Sequence, residues 1–324
     1  MINKEHIQSI WNSLTHSGQG EFEYQLISRE TIPFLNIGYN NLNQRCLILE
    51  LPQIFNKSFN EIEKENLSLK FFPGEKCLCI ILNDDYFKDL FDDLILSVYC
   101  KIYQVSNPEE YSGMFIKHFT KWSAFFENKK YGILSPQAIK GLFGELTYLK
   151  ELLISANIGV NDILQSWRGP YDDVHDFMSD FKDTEIKTIS NTENYVKISS
   201  EFQLECPQGK ELFLSVITVS CDQTGKNIKD LINEIRDMNY NNGGDCSIFL
   251  KALLQKGITL SNMDEYDQLR FITVSLISYD CNKVNFPKFT SEEIPEEICK
   301  VTYHLQLNLM DNFITFKKEF GYGY

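Results

Sequence analysis

The stretch SWRGPYDDVHDFMSDFKDTEIK, residues 166–187, holds the charged side chains around which the rest of the chain can be interpreted. Near its end, Glu185 and Lys187 flank a single isoleucine. Residues two apart on an extended strand point to the same side, so this carboxylate and this ammonium are predicted to project together. A second acid, Asp176, lies nine positions before Glu185. If the segments around the two acids pair as neighbouring strands, both acids and the lysine converge where a divalent metal and a phosphate can bind.

The same spacing also fits an ordinary strand without a binding function, because alternating charges commonly mark the solvated face of a half-buried strand. What favours the metal-site interpretation is a helix predicted upstream, which carries a third acid in an apolar setting.

The segment SPQAIKGLFGELTYLKELLI, residues 135–154, predicts a helix with Ser135 as its cap and Pro136 at its first position. The apolar stripe of this core-facing helix consists of Ile139, Leu142, Leu146, Leu149 and Leu153. Glu145 falls inside or beside that stripe, where a carboxylate is costly unless it is paired or bound to a metal. Gly141, one turn earlier, leaves room above it. The alternative is a glutamate at the rim of the stripe that pairs with a lysine.

Four short motifs follow one another along this region, namely GLFGEL at 141–146, WRGP at 167–170, HDF at 175–177 and EIKT at 185–188. In this order they resemble the PD-(D/E)XK nuclease superfamily, and in particular the "PD-(D/E)XK motif protein" family of bacterial restriction and phage-defence gene clusters. The resemblance continues through VKISSEFQL at 196–204 and FPKFTSEEIPEEICKVTYHLQL at 286–307, and so covers roughly residues 130–310. His-Asp replaces the Pro-Asp of the superfamily name, which leaves the acid in place.

The resemblance implies an α/β (α+β) fold with a restriction-endonuclease-like core, in which helices flank a mixed central sheet. We assign this core to residues 111–324 and an α+β module for recognition or docking to residues 1–110. For the core, hydrophobic patterns predict strands starting at Ile163-Leu164 and at 196–204, 212–220, 271–278 and 300–309, with helices at 227–238 and 246–256. For the module, they predict strands at 21–27, 34–38, 46–51, 67–72 and 76–82, with helices at 6–14 and 86–103.

The chemistry implied by the resemblance is hydrolysis of DNA phosphodiester bonds by an Mg²⁺-dependent endonuclease, with Mn²⁺ able to substitute. Asp176 and Glu185 would hold the metal, and Glu145 would be a further ligand, directly or through water. Lys187 would orient or acidify the attacking water and stabilise the charge that develops on phosphorus. His175 could assist, although a histidine beside a strand acid is more often a hydrogen-bonding neighbour.

Basic residues collect in the segment 112–144, where they face a single acid, Glu127. They are Lys117, Lys121, Lys129, Lys130 and Lys140. We expect these lysines to contact DNA phosphates, although they also fit a solvated helix face. The other candidates for contact with DNA are Arg168, Ser199, Ser200 and Gln203. The last three are predicted to lie on the strand at 196–204, where ordinary strand polarity is the alternative.

The composition limits the partners of this chain of 324 residues. Its net charge of −14 argues against a protein that coats nucleic acid unaided, so we expect DNA together with partner proteins of a defence operon. Nine cysteines at irregular positions do not form a disulfide framework and are expected to be small core residues. The chain contains no run of eighteen apolar residues and begins with polar residues, which predicts a cytoplasmic protein without a membrane partner. A homodimer is left open.

Three functions are compatible with these patterns. The favoured one is an active endonuclease that works as a subunit of a bacterial restriction or anti-phage system. The second is a catalytically inactive PD-(D/E)XK scaffold or DNA-recognition subunit acting with a partner. The third is a metal-independent hydrolase that uses Glu145 and Glu185 as an acid and base pair.

Overall fold

A computed structural model describes most of the chain and divides it into two compact units. The described residues are 2–14, 21–55, 57, 59–127, 132–155, 158–260, 262–290, 293–295, 297–298, 300 and 301–321. One unit comprises Met1–Lys130 and Asn239–Leu250, and the other comprises Tyr131–Met238 and Lys251–Tyr324. Lys129 and Lys130, two of the candidate DNA contacts, lie outside the described residues.

The first unit is built on an antiparallel sheet of six strands. These are β1 (Phe22–Leu26), β2 (Leu35–Asn40), β3 (Arg45–Glu50), β4 (Ile62–Glu63), β5 (Leu67–Phe72) and β6 (Cys77–Leu82). Their order in the sheet is β1-β2-β3-β6-β5-β4. All six residues of β6 are buried, as its continuous apolar sequence predicts, and Cys46 pairs with Ile81 across β3 and β6. The strands predicted for this part of the chain are therefore confirmed.

Three helices accompany this sheet, namely α1 (Lys4–Ser13), α2 (Lys88–Ile102) and α3 (Pro108–Ser123). Polar caps fix two of their starts. The Asn3 side chain accepts a hydrogen bond from the backbone of His6, and the Asn107 side chain accepts one from Glu109. The cysteines of the described residues are free thiols, and five of them are buried, as expected for small core residues.

The second unit contains a mixed sheet of five strands and a separate two-stranded sheet. The strands of this unit are β7 (Phe177–Met178), β8 (Lys182–Ser190), β9 (Tyr195–Ile198), β10 (Glu211–Lys226), β11 (Phe271–Asp280), β12 (Tyr303–Gln306) and β13 (Ile314–Glu319). The order in the large sheet is β13-β11-β10-β8-β7, and β9 pairs with β12. Strand β10 runs parallel to β8, whereas the other neighbours in this sheet are antiparallel. The predicted mixed α/β core is confirmed.

Four helices follow the first unit's three along the chain, namely α4 (Pro136–Ile154), α5 (Val160–Ser166), α6 (Ile228–Asn241) and α7 (Cys246–Gln255). Helix α4 begins as predicted, because the Ser135 hydroxyl accepts a hydrogen bond from the backbone of Ala138. The helix lies so close to β8 that a Cβ at Gly144 would be 1.8 Å from Thr188 Oγ1, so only glycine fits there. Apart from its chain neighbours and the backbone of its own helix, no described residue comes within 4 Å of a Cβ built at Gly141.

Short 3₁₀ turns occur at Asp85–Phe87, Ala124–Phe126, Gly169–Tyr171, Met263–Tyr266, Leu307–Leu309 and Asp311–Phe313. Within the described part of the chain, no helix combines the length and the apolar character needed to cross a membrane.

Several predicted strands are corrected. Ile163 and Leu164 lie in helix α5 with buried side chains, because a short apolar pair fits a buried helix as well as a strand. Strand β9 ends at Ile198, so the candidate residues Ser199, Ser200 and Gln203 follow it in turns. Local hydrogen bonds replace the strand ladder there, since the backbone of Ser199 donates to the Gln203 side chain. The strand predicted at 300–309 is also shorter and comprises only β12.

Candidate active site

Strand β8 carries the acid and the lysine of the EIK sequence on one face. The Lys187 ammonium donates a hydrogen bond to Glu185 Oε1 at 2.7 Å, so the two side chains project together as the strand period predicts. Glu185 is only 3% exposed, while the Lys187 side chain keeps partial contact with solvent. On the neighbouring strand β10, Glu185 is paired with the fully buried Leu214. Glu185 therefore lies on an inner strand of the sheet, between β10 and β7.

Asp176 lies directly before β7 and is fastened to β8 through its side chain. Its Oδ2 accepts a hydrogen bond from the backbone N–H of Ile186 at 2.8 Å, which places it at the level of the residue between Glu185 and Lys187. Its own carbonyl accepts hydrogen bonds from the backbone of Arg168 and Gly169 at 2.7 and 2.9 Å. The loop that contains Arg168 is thus bound to the segment that carries the acid.

Glu145 reaches the same place from helix α4. Its Oε2 accepts a hydrogen bond from the Trp167 indole at 2.8 Å, and the Lys256 ammonium lies 3.5 Å from its Oε1. A Cβ at Gly169 would lie 2.6 Å from Asp176 Oδ1 and 2.8 Å from Glu145 Oε2, so both oxygens border one small space that glycine leaves open. Glu145 is therefore buried next to Asp176, and its ion pair with Lys256 is the lysine pairing that the alternative interpretation expects.

Burial and mutual repulsion disfavour the ionised forms of the three carboxyl groups. Burial first, and then the charge of Asp176, raise the pKa of Glu145 to about 7 and that of Glu185 to about 8. Burial also raises the pKa of Asp176, against the opposing effects of the Ile186 hydrogen bond and the Lys187 charge. The cluster therefore resists carrying three negative charges at once unless a cation compensates them.

The fit of a divalent metal can be judged from the donors of this cluster. Buried carboxylate oxygens are the ligands that Mg²⁺ prefers, and their mutual repulsion is what a bound cation relieves. Asp176 Oδ1 accepts no hydrogen bond from any described residue, so it is available as a ligand. As they stand, however, no three His, Cys, Asp or Glu side chains of the described residues are gathered closely enough to hold a metal ion. The donor chemistry fits Mg²⁺, whereas the spacing is wider than that of a ready three-ligand site.

A layer of further polar residues is linked to Glu185 by hydrogen bonds, and the sequence did not predict these contacts. The Gln203 side-chain amide donates to Glu185 Oε1 at 2.7 Å. His175 is buried and joins Asp183 through Nδ1 at 3.2 Å and the Gln203 carbonyl through Nε2 at 3.1 Å. Lys210 pairs with the other oxygen of Asp183 at 3.3 Å. His175 is thus a hydrogen-bonding neighbour that positions the turn carrying Gln203.

One sequence signal for this layer existed. Asp183 lies two residues before Glu185 on β8 and so belongs to the same face of the strand. Trp167 belongs to the WRGP motif, but its contact with Glu145 was not predicted. Lys210 and Lys256 had no signal, because their contacts join segments far apart in the chain.

The candidate DNA contacts belong to both units. In the second unit, Lys140 donates to the side chains of Ser190 and Glu193, at 3.3 and 3.4 Å. Arg168 pairs with Asp173, and its guanidinium lies 4.8 Å from the centroid of the Tyr171 ring. Ser199 and Ser200 are exposed, whereas Gln203 is committed to Glu185. Lys117 and Lys121 belong to α3 of the first unit, where both are exposed and Lys121 pairs with Asp245.

Comparison with known families decides the classification of this fold and site. The model of the family described as "Putative PD-(D/E)XK family member, (DUF4420)" matches residues 7–308. The chain belongs to this family. The resemblance to the PD-(D/E)XK superfamily is thereby confirmed, and the family match extends through the N-terminal sheet as well as the acid cluster. No curated protein and no solved structure matches the chain.

Membership in the DUF4420 family places the chain in a nuclease-like superfamily, whose nucleases typically use divalent metals. The acids of the site, Glu145, Asp176 and Glu185, all lie within the matched residues, as does Lys187.

Proposed function

We propose that this chain is an Mg²⁺-dependent DNA endonuclease that works as a subunit of a bacterial restriction or anti-phage defence system. The observation that carries the proposal is the meeting of Glu145 and Asp176 at Gly169, with Asp176 bound to β8 at Ile186, beside Glu185. An acid cluster next to a lysine on a nuclease-like fold is suited to phosphodiester hydrolysis.

The metal would be held by Asp176 and Glu185, with Glu145 as a further direct or water-mediated ligand. When bound, Mg²⁺ supplies a Lewis acid that polarises the phosphate and lowers the pKa of water. Glu145 lies in α4, Asp176 directly precedes β7, and Glu185 lies in β8, so the fold itself sets their spacing.

Lys187 would act on the attacking water and on the charge that develops on phosphorus. Its ammonium is fixed at 2.7 Å from Glu185 Oε1, which orients it without removing it from solvent. A preorganised cation of this kind stabilises the transition state more than the ground state, because the negative charge grows during the reaction.

DNA binding would use Arg168 and the exposed serines after β9, with the lysines of α3 and α4 as further candidates. The backbone of Arg168 donates to the Asp176 carbonyl, so the arginine belongs to a loop that is bound to the segment carrying this acid. The net charge of −14 opposes strong unaided binding to DNA, which is why we propose partner proteins from the same defence operon.

An inactive scaffold or DNA-recognition subunit is the second candidate. It is favoured by one observation, that the carboxylates of Glu145 and Glu185 are held by protein donors and do not form a ready three-ligand group within the described residues. In a scaffold these contacts would persist when metal is added.

The test is cleavage of plasmid DNA with Mg²⁺, Mn²⁺ or EDTA, with and without the products of neighbouring genes. The endonuclease proposal expects nicked or linear plasmid with either metal and none with EDTA. DNA binding without cleavage under every condition would favour the scaffold. Cleavage that persists in EDTA would favour the metal-independent hydrolase.

A further inference from the structure

We propose that Lys256 is a second lysine of the active site, whose ammonium passes from Glu145 to a phosphate of the DNA backbone when substrate binds. The inference rests on the proposed nuclease function and assigns the residue that receives the substrate's phosphate.

The backbone of Lys256 is fixed at the end of a helix. It follows Gln255, the last residue of α7, and its N–H donates to the Ala252 carbonyl at 3.3 Å. Gly257 then adopts a positive φ of 75° and ends the helix, with its N–H donating to Leu254. The side chain therefore leaves from a defined point, and only its flexible stem has to move.

Lys256 is held much more loosely than Lys187. The Lys187 ammonium lies 2.7 Å from its carboxylate partner, whereas Lys256 lies 3.5 Å from Glu145 Oε1, at the outer limit of a hydrogen bond. Its side chain is also 28% exposed, so an anion arriving from solvent can reach it. A weak, accessible ion pair loses little when its lysine turns to a phosphate.

The two lysines reach the acid cluster through different carboxylates. Lys187 pairs with Glu185 at 2.7 Å, and Lys256 pairs with Glu145 at 3.5 Å. One cation comes from β8 and the other from the end of α7, so positive charge reaches the cluster from two separate elements. This arrangement gives the site one lysine for the attacking water and another for the phosphate.

The sum of formal charges in the site indicates what the second lysine would do. Metal binding requires ionised carboxylates, and three of them with Lys187 alone leave two negative charges uncompensated. With Lys256 included, one negative charge remains, and a divalent ion together with one phosphodiester then makes the site neutral. Without Lys256 the complex keeps a net negative charge, which opposes the growing charge on the phosphate oxygens as water attacks.

The first test measures DNA binding rather than activity. Anisotropy of a labelled duplex would be recorded across a salt series with Ca²⁺ in place of Mg²⁺, for wild type, Lys256→Gln and Lys256→Arg. We expect Lys256→Gln to weaken binding and to reduce the slope of log K against log salt by about 0.9, the value for one phosphate contact. Lys256→Arg should keep the slope. Lys251→Gln, an equal loss of charge at an exposed position of α7, is the matched control and should leave it unchanged.

The second test measures plasmid cleavage with Mg²⁺. We expect Lys256→Gln to lower kcat/KM by about 10²–10³-fold, as for loss of one donor to developing charge, with partial recovery in Lys256→Arg. A Lys256→Gln protein with unchanged salt slope and unchanged cleavage, but altered unfolding temperature, would overturn the proposal and leave Lys256 as a structural partner of Glu145.

The two assays distinguish failure of the endonuclease proposal from failure of the proposed role of Lys256. If wild type binds DNA but never cuts it, the endonuclease proposal is wrong, and the salt slope still decides the role of Lys256. If wild type cuts DNA and Lys256→Gln behaves like Lys251→Gln in both assays, only the role of Lys256 is wrong. If wild type neither binds nor cuts DNA, with or without the products of neighbouring genes, both are overturned.

Discussion

Replacement of Glu185 by glutamine should change how the stability of the metal-free protein depends on pH. Glu185 is 3% exposed, and burial followed by the charge of Asp176 raises its pKa from 4.5 to about 8. The folded protein therefore holds this proton more tightly than the unfolded chain does. The stability that results is fully present below pH 4.5 and is lost as the pH rises to about 8.

The size of the effect follows from the shift. One pKa unit corresponds to about 1.4 kcal/mol, so the shift of Glu185 from 4.5 to about 8 corresponds to a loss on the order of 5 kcal/mol across this pH range. Glu185→Gln removes the titrating group but keeps an oxygen that can accept from Lys187. The variant should resemble wild type near pH 5 and exceed it in stability near pH 8. Glu145, with a pKa of about 7, still titrates and leaves a smaller slope.

The assay is urea unfolding in EDTA at several pH values between about 3 and 8.5, repeated with Mg²⁺, so that the range covers the transitions of both Glu185 and the control. Glu193→Gln is the control of opposite sign, because the hydrogen bond from the Ser190 backbone, with Lys140, lowers the pKa of Glu193. That carboxylate stabilises the protein above pH 4.5, and the effect is lost as the pH falls through its lowered pKa. At pH 8, Mg²⁺ should raise the free energy of unfolding of wild type more than that of Glu185→Gln. A Glu185→Gln protein that is less stable than wild type by the same amount at every pH would contradict the raised pKa of Glu185.

Further substitutions and one crystal test the site. Lys187→Ala should keep the fold and metal binding but lower kcat about 10²–10³-fold, because its charge acts in the transition state; cleavage at the wild-type rate would contradict this. Asp176→Asn should weaken Mg²⁺ binding in calorimetry and raise the unfolding temperature without metal, since it removes repulsion between acids; a less stable protein with unchanged titration would indicate an ordinary salt bridge. Gly169→Ala should reduce cleavage far more than Gly141→Ala, because its Cβ would lie 2.6 Å from Asp176 Oδ1, whereas the space at Gly141 is open; equal activities would contradict the crowding argument. A crystal soaked with Mn²⁺ should give an anomalous peak among Glu145, Asp176 and Glu185, and a Glu145 side chain turned away from the other two would remove it from the site.

The sequence was sufficient where local rules operate. The Ser135 cap, the following proline and the apolar stripe predicted α4, because capping and a 3.6-residue period depend on neighbours within two turns. The shared side of Glu185 and Lys187 followed from the two-residue period of a strand. The motif order gave the family, and with it the mixed sheet.

Hydrophobic pattern failed where it is locally ambiguous. Ile163 and Leu164 are equally apolar in a strand or a buried helix turn, and only packing in the second unit made them helical. Gln203 was predicted to lie on a strand, but a local hydrogen bond to Ser199 and a contact with Glu185 hold it in a turn.

The tertiary structure decided which other residues contact the acids of the site. By itself, the sequence determined which acids could meet and which lysine shares a strand face with one of them. Only the folded chain decided that Trp167 and Lys256 contact Glu145 and that Gln203 contacts Glu185. The physical reason is distance along the chain: Lys256 and Glu145 are 111 residues apart, and no local periodicity relates positions that only the packing of helices on a sheet brings together.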